Sequence, residues 1–209
     1  FWFILSMTLA VLYGFLALKK AFLSSLSVQD DARQHIFWMQ RFFNADLFPN
    51  DLIADYFQSV APAGYTWLYK SLAFIGINPL ILAKIIPFIL GLICTYYIFR
   101  ITLEILPVTM AGFIAALVMN QAIWMKDDVA SATPRAFIYP FFLAFLYYLI
   151  RGSLVRMGIA IALVGLFYPQ YVFVASGMLI LRLICWRNGR FQFSSKKQDF
   201  IFCGVGLSC

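Results

Sequence analysis

The chain has 209 residues, of which 63% are hydrophobic, 19% aromatic and only 12% charged, with a net charge of +7. Soluble domains average about one quarter charged residues, so this composition excludes an ordinary soluble enzyme and points to an integral membrane protein. The positive charges gather at the ends of apolar stretches, where they orient helices in a bilayer, and no nucleic-acid partner is expected.

In chain order, residues 1–18 read as a first span; no charged leader or small-residue cleavage site marks them as the remnant of a signal peptide. Phe1 is not a start methionine and Cys209 falls inside a new apolar run, so the sequence reads as a single transmembrane domain, 1–209, cut at both ends. Residues 19–79 read as an outer loop. Within it, Asp30 and Asp31 precede an amphipathic helix over 32–43, with Ala32, Ile36, Met39 and Phe43 on one face. Such a helix is expected to lie on the membrane surface, with the two aspartates capping its N-terminus. Residues 44–59 are polar and turn-rich, with Pro49, Asn50 and Asp51 as a turn signal.

Residues 60–77 are barely long enough to cross and carry Pro62, Gly64 and Lys70. Spans follow at 80–99, 107–125 and 136–150, with shorter apolar runs at 157–168 and 171–186 broken at Pro169 and Gln170, a basic segment at 187–197, and a further span from Phe200. If 60–77 crosses, Arg151 and Arg156 face outside. If it only dips into the outer leaflet, Arg100, Arg151, Arg156, Arg187, Arg190, Lys196 and Lys197 all fall on the cytoplasmic side, which the positive-inside bias favours; Lys19 and Lys20 oppose it. The expected fold is an all-α polytopic transmembrane bundle whose outer loop carries amphipathic surface helices. A transmembrane barrel would need alternating strands, which are absent from the sequence pattern. The cysteines Cys94, Cys185, Cys203 and Cys209 lack metal-ligand spacing and read as small buried hydrophobes.

Three constellations could carry chemistry. Asp30 and Asp31 can take a proton from an attacking hydroxyl or hold a divalent cation that grips a phosphate, and His35 lies one helical turn after Asp31. The same acids can serve as a helix cap, and His35 as an interfacial polar residue. The loop K-D-D-V-A-S-A-T-P-R at 126–135 holds Asp127, Asp128 and Arg135, whose guanidinium fork suits a phosphate; an acid–arginine tie within the loop is the plainer reading. Tyr139 with Pro140, and Tyr168, Pro169 and Gln170, mark helix breaks, where Tyr168 and Gln170 either line a cavity or form an interfacial turn. Trp2, Trp67, Trp124 and Trp186 read as aromatic-belt residues.

An early acid pair in a long first outer loop, Q-D-D-A-R-Q-H, followed by a second acidic outer loop, K-D-D-V-A-S-A-T-P-R, resembles the GT-C superfamily of membrane glycosyltransferases, which use lipid-linked sugars. Protein mannosyltransferases, oligosaccharyltransferase catalytic subunits and the aminoarabinose transferase of lipid A belong to it. The resemblance implies a transferase in the plasma (inner) membrane, with a polyprenyl-phosphate donor, membrane lipid around it and an unspecified acceptor. It implies that Asp31 or Asp30 is catalytic, with Asp31 preferred because it opens D-A-R-Q-H. Arg33, His35, Asp127, Asp128, Arg135, Tyr168 and Gln170 become substrate-binding candidates. A divalent cation, Mg or Mn, would be held by Asp30, Asp31 and Asp128. The competing class is a transporter or flippase for a lipid-linked or anionic solute, suited by broken spans; it would need ionisable residues at mid-membrane depth, where only Lys84 and Arg182 are placed. A non-catalytic scaffold, with both acid pairs structural, is the third.

Overall fold

The fold was analysed in a computed structural model, which describes residues 1–23, 29–187, 190–193 and 197–208; the side chains of 127, 128, 185–187, 190–193, 198, 207 and 208 lie outside that description. Helix α1 spans Trp2–Phe22. Ser6, Ala10, Gly14 and Leu18 recur every fourth residue and are the buried face, so small side chains let neighbouring backbones come close. That face packs on α5 (Pro79–Ile105) and α6 (Thr109–Trp124).

Helix α5 starts where Asn78 accepts a hydrogen bond from Leu80 N–H and Pro79 supplies a preset first turn. It runs six residues past the expected end at Phe99, to Ile105. A buried polar ladder locks it to α6: Asn120 Nδ2 donates to Thr95 Oγ1 at 2.9 Å, and Trp124 Nε1 donates to Asn120 Oδ1 at 3.2 Å. Trp124, expected as an aromatic-belt residue, is thereby an internal packing residue. Helices α1 and α5 are long and apolar enough to cross a bilayer.

The first loop departs from the continuous helix expected over 32–43. Helix α2 covers Asp30–His35, and a tighter 3-10 turn takes over at Phe37–Phe42. At three residues per turn, Ile36, Met39 and Phe42 come onto one face. Ile36 and Met39 are fully buried, whereas Phe43 is 49% exposed. The apolar stripe therefore faces the protein interior, against α5 and the helix at Ala63–Phe74, and is not a membrane-surface stripe. The N-cap is Gln29 and makes no side-chain cap; Asp30 and Asp31 sit in the first turn.

Part of the stretch expected to be turns is helix α3, Leu52–Val60, begun by Asp51, whose carboxylate accepts from Ile53 and Ala54 N–H. Arg41 holds the intervening turn to it, donating to the carbonyls of Leu47 (3.1 Å) and Phe48 (2.6 Å) and pairing with Asp55 at 2.7 Å. Helix α4 is only Ala63–Phe74, about 18 Å long, too short to cross the roughly 30 Å hydrocarbon layer.

The second loop contains α7 (Asp127–Ala130) and a 3-10 turn at Pro134–Phe137 that leads into α8 (Ile138–Ile150). Pro140 does not break α8, because it lies in the first turn, where its missing N–H has no partner to lose. Helix α9 (Leu154–Phe167) returns alongside α8, and Pro169 does break the chain before α10 (Val172–Arg182). The apolar run to Trp186 is not all helix: Ile184–Arg187 (β1) pairs antiparallel with Arg190–Phe193 (β2). Helix α11, Lys197–Ser208, packs on α9 and α10. The fold is thus helical apart from this one hairpin among the described residues. Cys94 and Cys203 are free and buried, as expected; the side chain of Cys185, and Cys209, lie outside the described residues.

Candidate functional site

The two loops meet. Helix α2 packs against α7, and Tyr65 and Tyr69 of α4 both donate to the carbonyl of Ala132, at 3.1 and 3.5 Å. Ala132 is buried with φ 50°, a left-handed conformation that costs a non-glycine residue energy and turns its carbonyl toward the tyrosines. At Gly64 a Cβ would lie 2.8 Å from Leu166 Cβ and 2.9 Å from its carbonyl oxygen, so only glycine lets α4 seat this closely on α9.

These contacts enclose a cleft of about 530 Å³, lined by Asp31 and His35 from α2, Tyr65 from α4, Thr133 and Arg135 from the second loop, and Tyr168 and Gln170 from the break after α9. Five of the residues singled out from the sequence, Asp31, His35, Arg135, Tyr168 and Gln170, thus share one hollow. Asp30 and Arg33 are exposed on α2 and do not line it. Asp127 and Asp128 lie on α7 beside α2; their side chains are outside the described residues. Tyr65 and Thr133 were not anticipated. Nothing in the local pattern of 60–77 marks Tyr65; its place follows from the long-range bond to Ala132.

His35 sits edge-on to Phe57, with ring centroids 5.2 Å apart. Partial burial lowers its pKa below the usual 6.5; the nearby Asp31 carboxylate opposes that shift, and Arg135 adds to it. The imidazole is therefore neutral near pH 7 and able to accept a proton. A cleft presenting one carboxylate, one neutral imidazole and one guanidinium can deprotonate a hydroxyl and hold an anion.

The expected cation site of Asp30, Asp31 and Asp128 rests in part on the Asp128 side chain, which lies outside the described residues. Asp30 does not line the cleft, no group of three His, Cys, Asp or Glu side chains converges among the described residues, and Arg135 lines the cleft together with Asp31. The described lining, with one carboxylate, one imidazole and one guanidinium, suits an anion.

Two further hollows adjoin the cleft. Arg135 and Tyr168 also line a pocket of about 410 Å³ with Tyr139, Phe142 and Tyr171 and with aliphatic side chains such as Ile138 and Leu143. On the other side of the walls formed by 62–65, 134–137 and 167–168 runs an apolar groove of about 750 Å³ between α4, α5, α8 and α9, lined by Trp67, Ile86, Phe141 and Leu163 among others. The chain matches no protein-family model, no curated protein and no solved structure.

Proposed function

We propose that this chain forms the membrane part of a glycosyltransferase that moves a sugar from a polyprenyl-phosphate donor to an acceptor at the extracytoplasmic face. The observation that carries this reading is the convergence of Asp31, His35 and Arg135 on one cleft, with a separate apolar groove behind its walls lined from the same chain segments. An amphiphile with an anionic junction between sugar and hydrocarbon matches that pairing of polar and apolar hollows.

In the proposed reaction the acceptor hydroxyl oxygen attacks the anomeric carbon, and the bond from that carbon to the phosphate oxygen breaks, with inversion. Asp31 or His35 takes the hydroxyl proton. The electron pair of the broken bond leaves on the lipid phosphate, whose charge Arg135 stabilises in a partly water-excluded site. Tyr168 and Gln170 supply hydrogen-bonding groups for the sugar hydroxyls.

A polytopic membrane arrangement is supported by helices beyond the two long ones. Ile114 and Val118 on α6 and Ile159 on α9 are about half exposed, as are Ile81, Ile85 and Ile89 on the long α5, an apolar surface of the kind that lipid covers. The shortness of α4 favours the orientation in which 60–77 does not cross, so that both acidic loops lie outside and Arg100, Arg151 and Arg156 lie inside.

A transporter of a lipid-linked or anionic solute is the second reading, favoured by Lys84, which is 7% exposed within α5. The test is transfer from a polyprenyl-phosphate sugar by the protein in nanodiscs. Asp31→Asn is expected to fold and to lose about a hundredfold or more in rate. Full activity in both Asp30→Asn and Asp31→Asn would remove the enzymatic role, and solute movement without transfer would favour the transporter.

A further inference from the structure

At the end of the bundle away from the cleft, a second polar cluster takes no part in the chemistry above. Helix α8 begins beside Arg135 and runs about 20 Å before it ends at Ile150, so Tyr147, Tyr148 and Arg151 lie at the far end. Helices α5 and α9 bring Arg100, Glu104 and Arg156 to the same place. The Tyr147 hydroxyl accepts from Arg100 Nη2 at 3.2 Å and from Arg151 Nη1 at 3.1 Å. Arg156 lies over the Tyr148 ring at 5.7 Å, and the Tyr148 hydroxyl meets that of Tyr97 at 3.2 Å.

The cluster is over-supplied with donors and positive charge. Against these three guanidiniums the described residues place one carboxylate in contact, Glu104, which reaches Arg151 at 3.4 Å. Two guanidiniums sharing a single neutral hydroxyl repel each other. Arg100 Nε is buried and has no hydrogen-bond partner among the described residues. A buried charged N–H left without an acceptor is costly, and the three guanidiniums together suit an anion with several acceptor oxygens. Arg151 is 50% exposed on its side chain and Arg156 is exposed, so such a group can reach them from outside the bundle.

We propose that Arg100, Arg151 and Arg156, organised by Tyr147 and Tyr148, bind the phosphate of an anionic phospholipid headgroup at the membrane surface opposite the cleft. The proposal rests on the membrane reading given above but not on sugar transfer. Charge complementarity selects an anionic lipid over a zwitterionic one, because choline would bring a cation toward three guanidiniums. Phosphate is the shared chemistry of a headgroup and a free anion; the position at a helix end flanked by exposed apolar residues, Ile150 and Val155, selects the headgroup.

The test is native mass spectrometry of the protein released from nanodiscs of mixed phosphatidylglycerol and phosphatidylcholine. Phosphatidylglycerol should be retained about tenfold in preference. Arg100→Gln with Arg151→Gln should abolish that preference, whereas Lys19→Gln with Lys20→Gln should keep it. Retention in proportion to the mixture, or a preference that survives the arginine variant, would overturn the proposal. Complete displacement by excess inorganic phosphate would assign the cluster to a solution anion and also overturn it. If the arginine variant fails to fold, unfolding of the wild type is compared in discs of each lipid alone: a higher midpoint in phosphatidylglycerol supports the site, and equal midpoints reject it. Transfer activity in either lipid, and its loss in Asp31→Asn, report separately on the cleft.

Discussion

The Tyr65 hydroxyl donates to the Ala132 carbonyl at 3.1 Å, joining α4 to a loop 67 positions further along the chain. Both groups are buried, and Tyr65 lines the cleft together with Asp31 and Arg135, which come from different loops. Tyr65→Phe leaves the carbonyl to the longer bond from Tyr69 and should cost about 1 kcal/mol of stability. Thermal unfolding of the detergent-solubilised protein measures this; an unchanged midpoint would mean the bond contributes nothing to holding the loops together.

Gly64 is where α4 touches the backbone of α9, two residues before Tyr168. A methyl group there meets a carbonyl oxygen that cannot rotate away. Gly64→Ala should therefore push α4 outward, lower stability by about 1–3 kcal/mol and widen the cleft between Tyr65 and Tyr168. Protease sensitivity of the first loop should rise with it. A variant as stable and as resistant as the wild type would refute the close approach.

Arg41 makes four bonds to the first loop, to the carbonyls of Leu47 and Phe48 and to the side chains of Asp55 and Gln58. A lysine keeps the charge but cannot fork. Arg41→Lys should lose about 2 kcal/mol, since Phe48 is held at φ 57° by this anchor. Chemical denaturation of both proteins checks it, and a loss no larger than that of an exposed surface pair would show the anchor to be dispensable.

The pH dependence follows from His35, the only histidine. Its pKa is lowered in the folded state, chiefly by burial, so between the unfolded value of 6.5 and the lower folded value the unfolded chain binds more protons. The stability that His35 contributes is complete above pH 6.5 and is lost as pH falls through its folded pKa. His35→Gln should flatten the stability curve over that window, which unfolding midpoints across acidic pH would record. An unchanged slope would contradict the burial of the imidazole.

Much of this was readable from residues whose consequences are local. The repeat of Ala32, Ile36 and Met39 announced a buried face, and Pro169 announced a chain break, because spacing and a missing N–H act within a few residues. What covers that face was not readable, since a membrane and a protein interior present the same apolar partner to a side chain. The tightening after His35 was hidden for a related reason: the burial of Trp38 and Met39 against α4 and α5 rewards a winding that local propensity does not specify. Asp31, His35 and Arg135 were picked out for their chemistry, but their shared cleft depends on Tyr65, Ala132 and Gly64, whose role is set by distant partners. Asp30 and Arg33 resembled their neighbours in the sequence and turned out to face away from the lining, because a helix of only six residues presents one narrow face to the cleft.

The most direct measurement is an NMR titration of the His35 imidazole, whose resonances are unambiguous in a chain with one histidine. In the wild type the midpoint should lie below 6.5. Arg135→Gln removes a neighbouring positive charge and should move it up; Asp31→Asn removes a negative one and should move it further down. A midpoint at the ordinary value that neither substitution shifts would mean that the carboxylate, the imidazole and the guanidinium do not share a cleft, and the proposed transfer centre would fail with them.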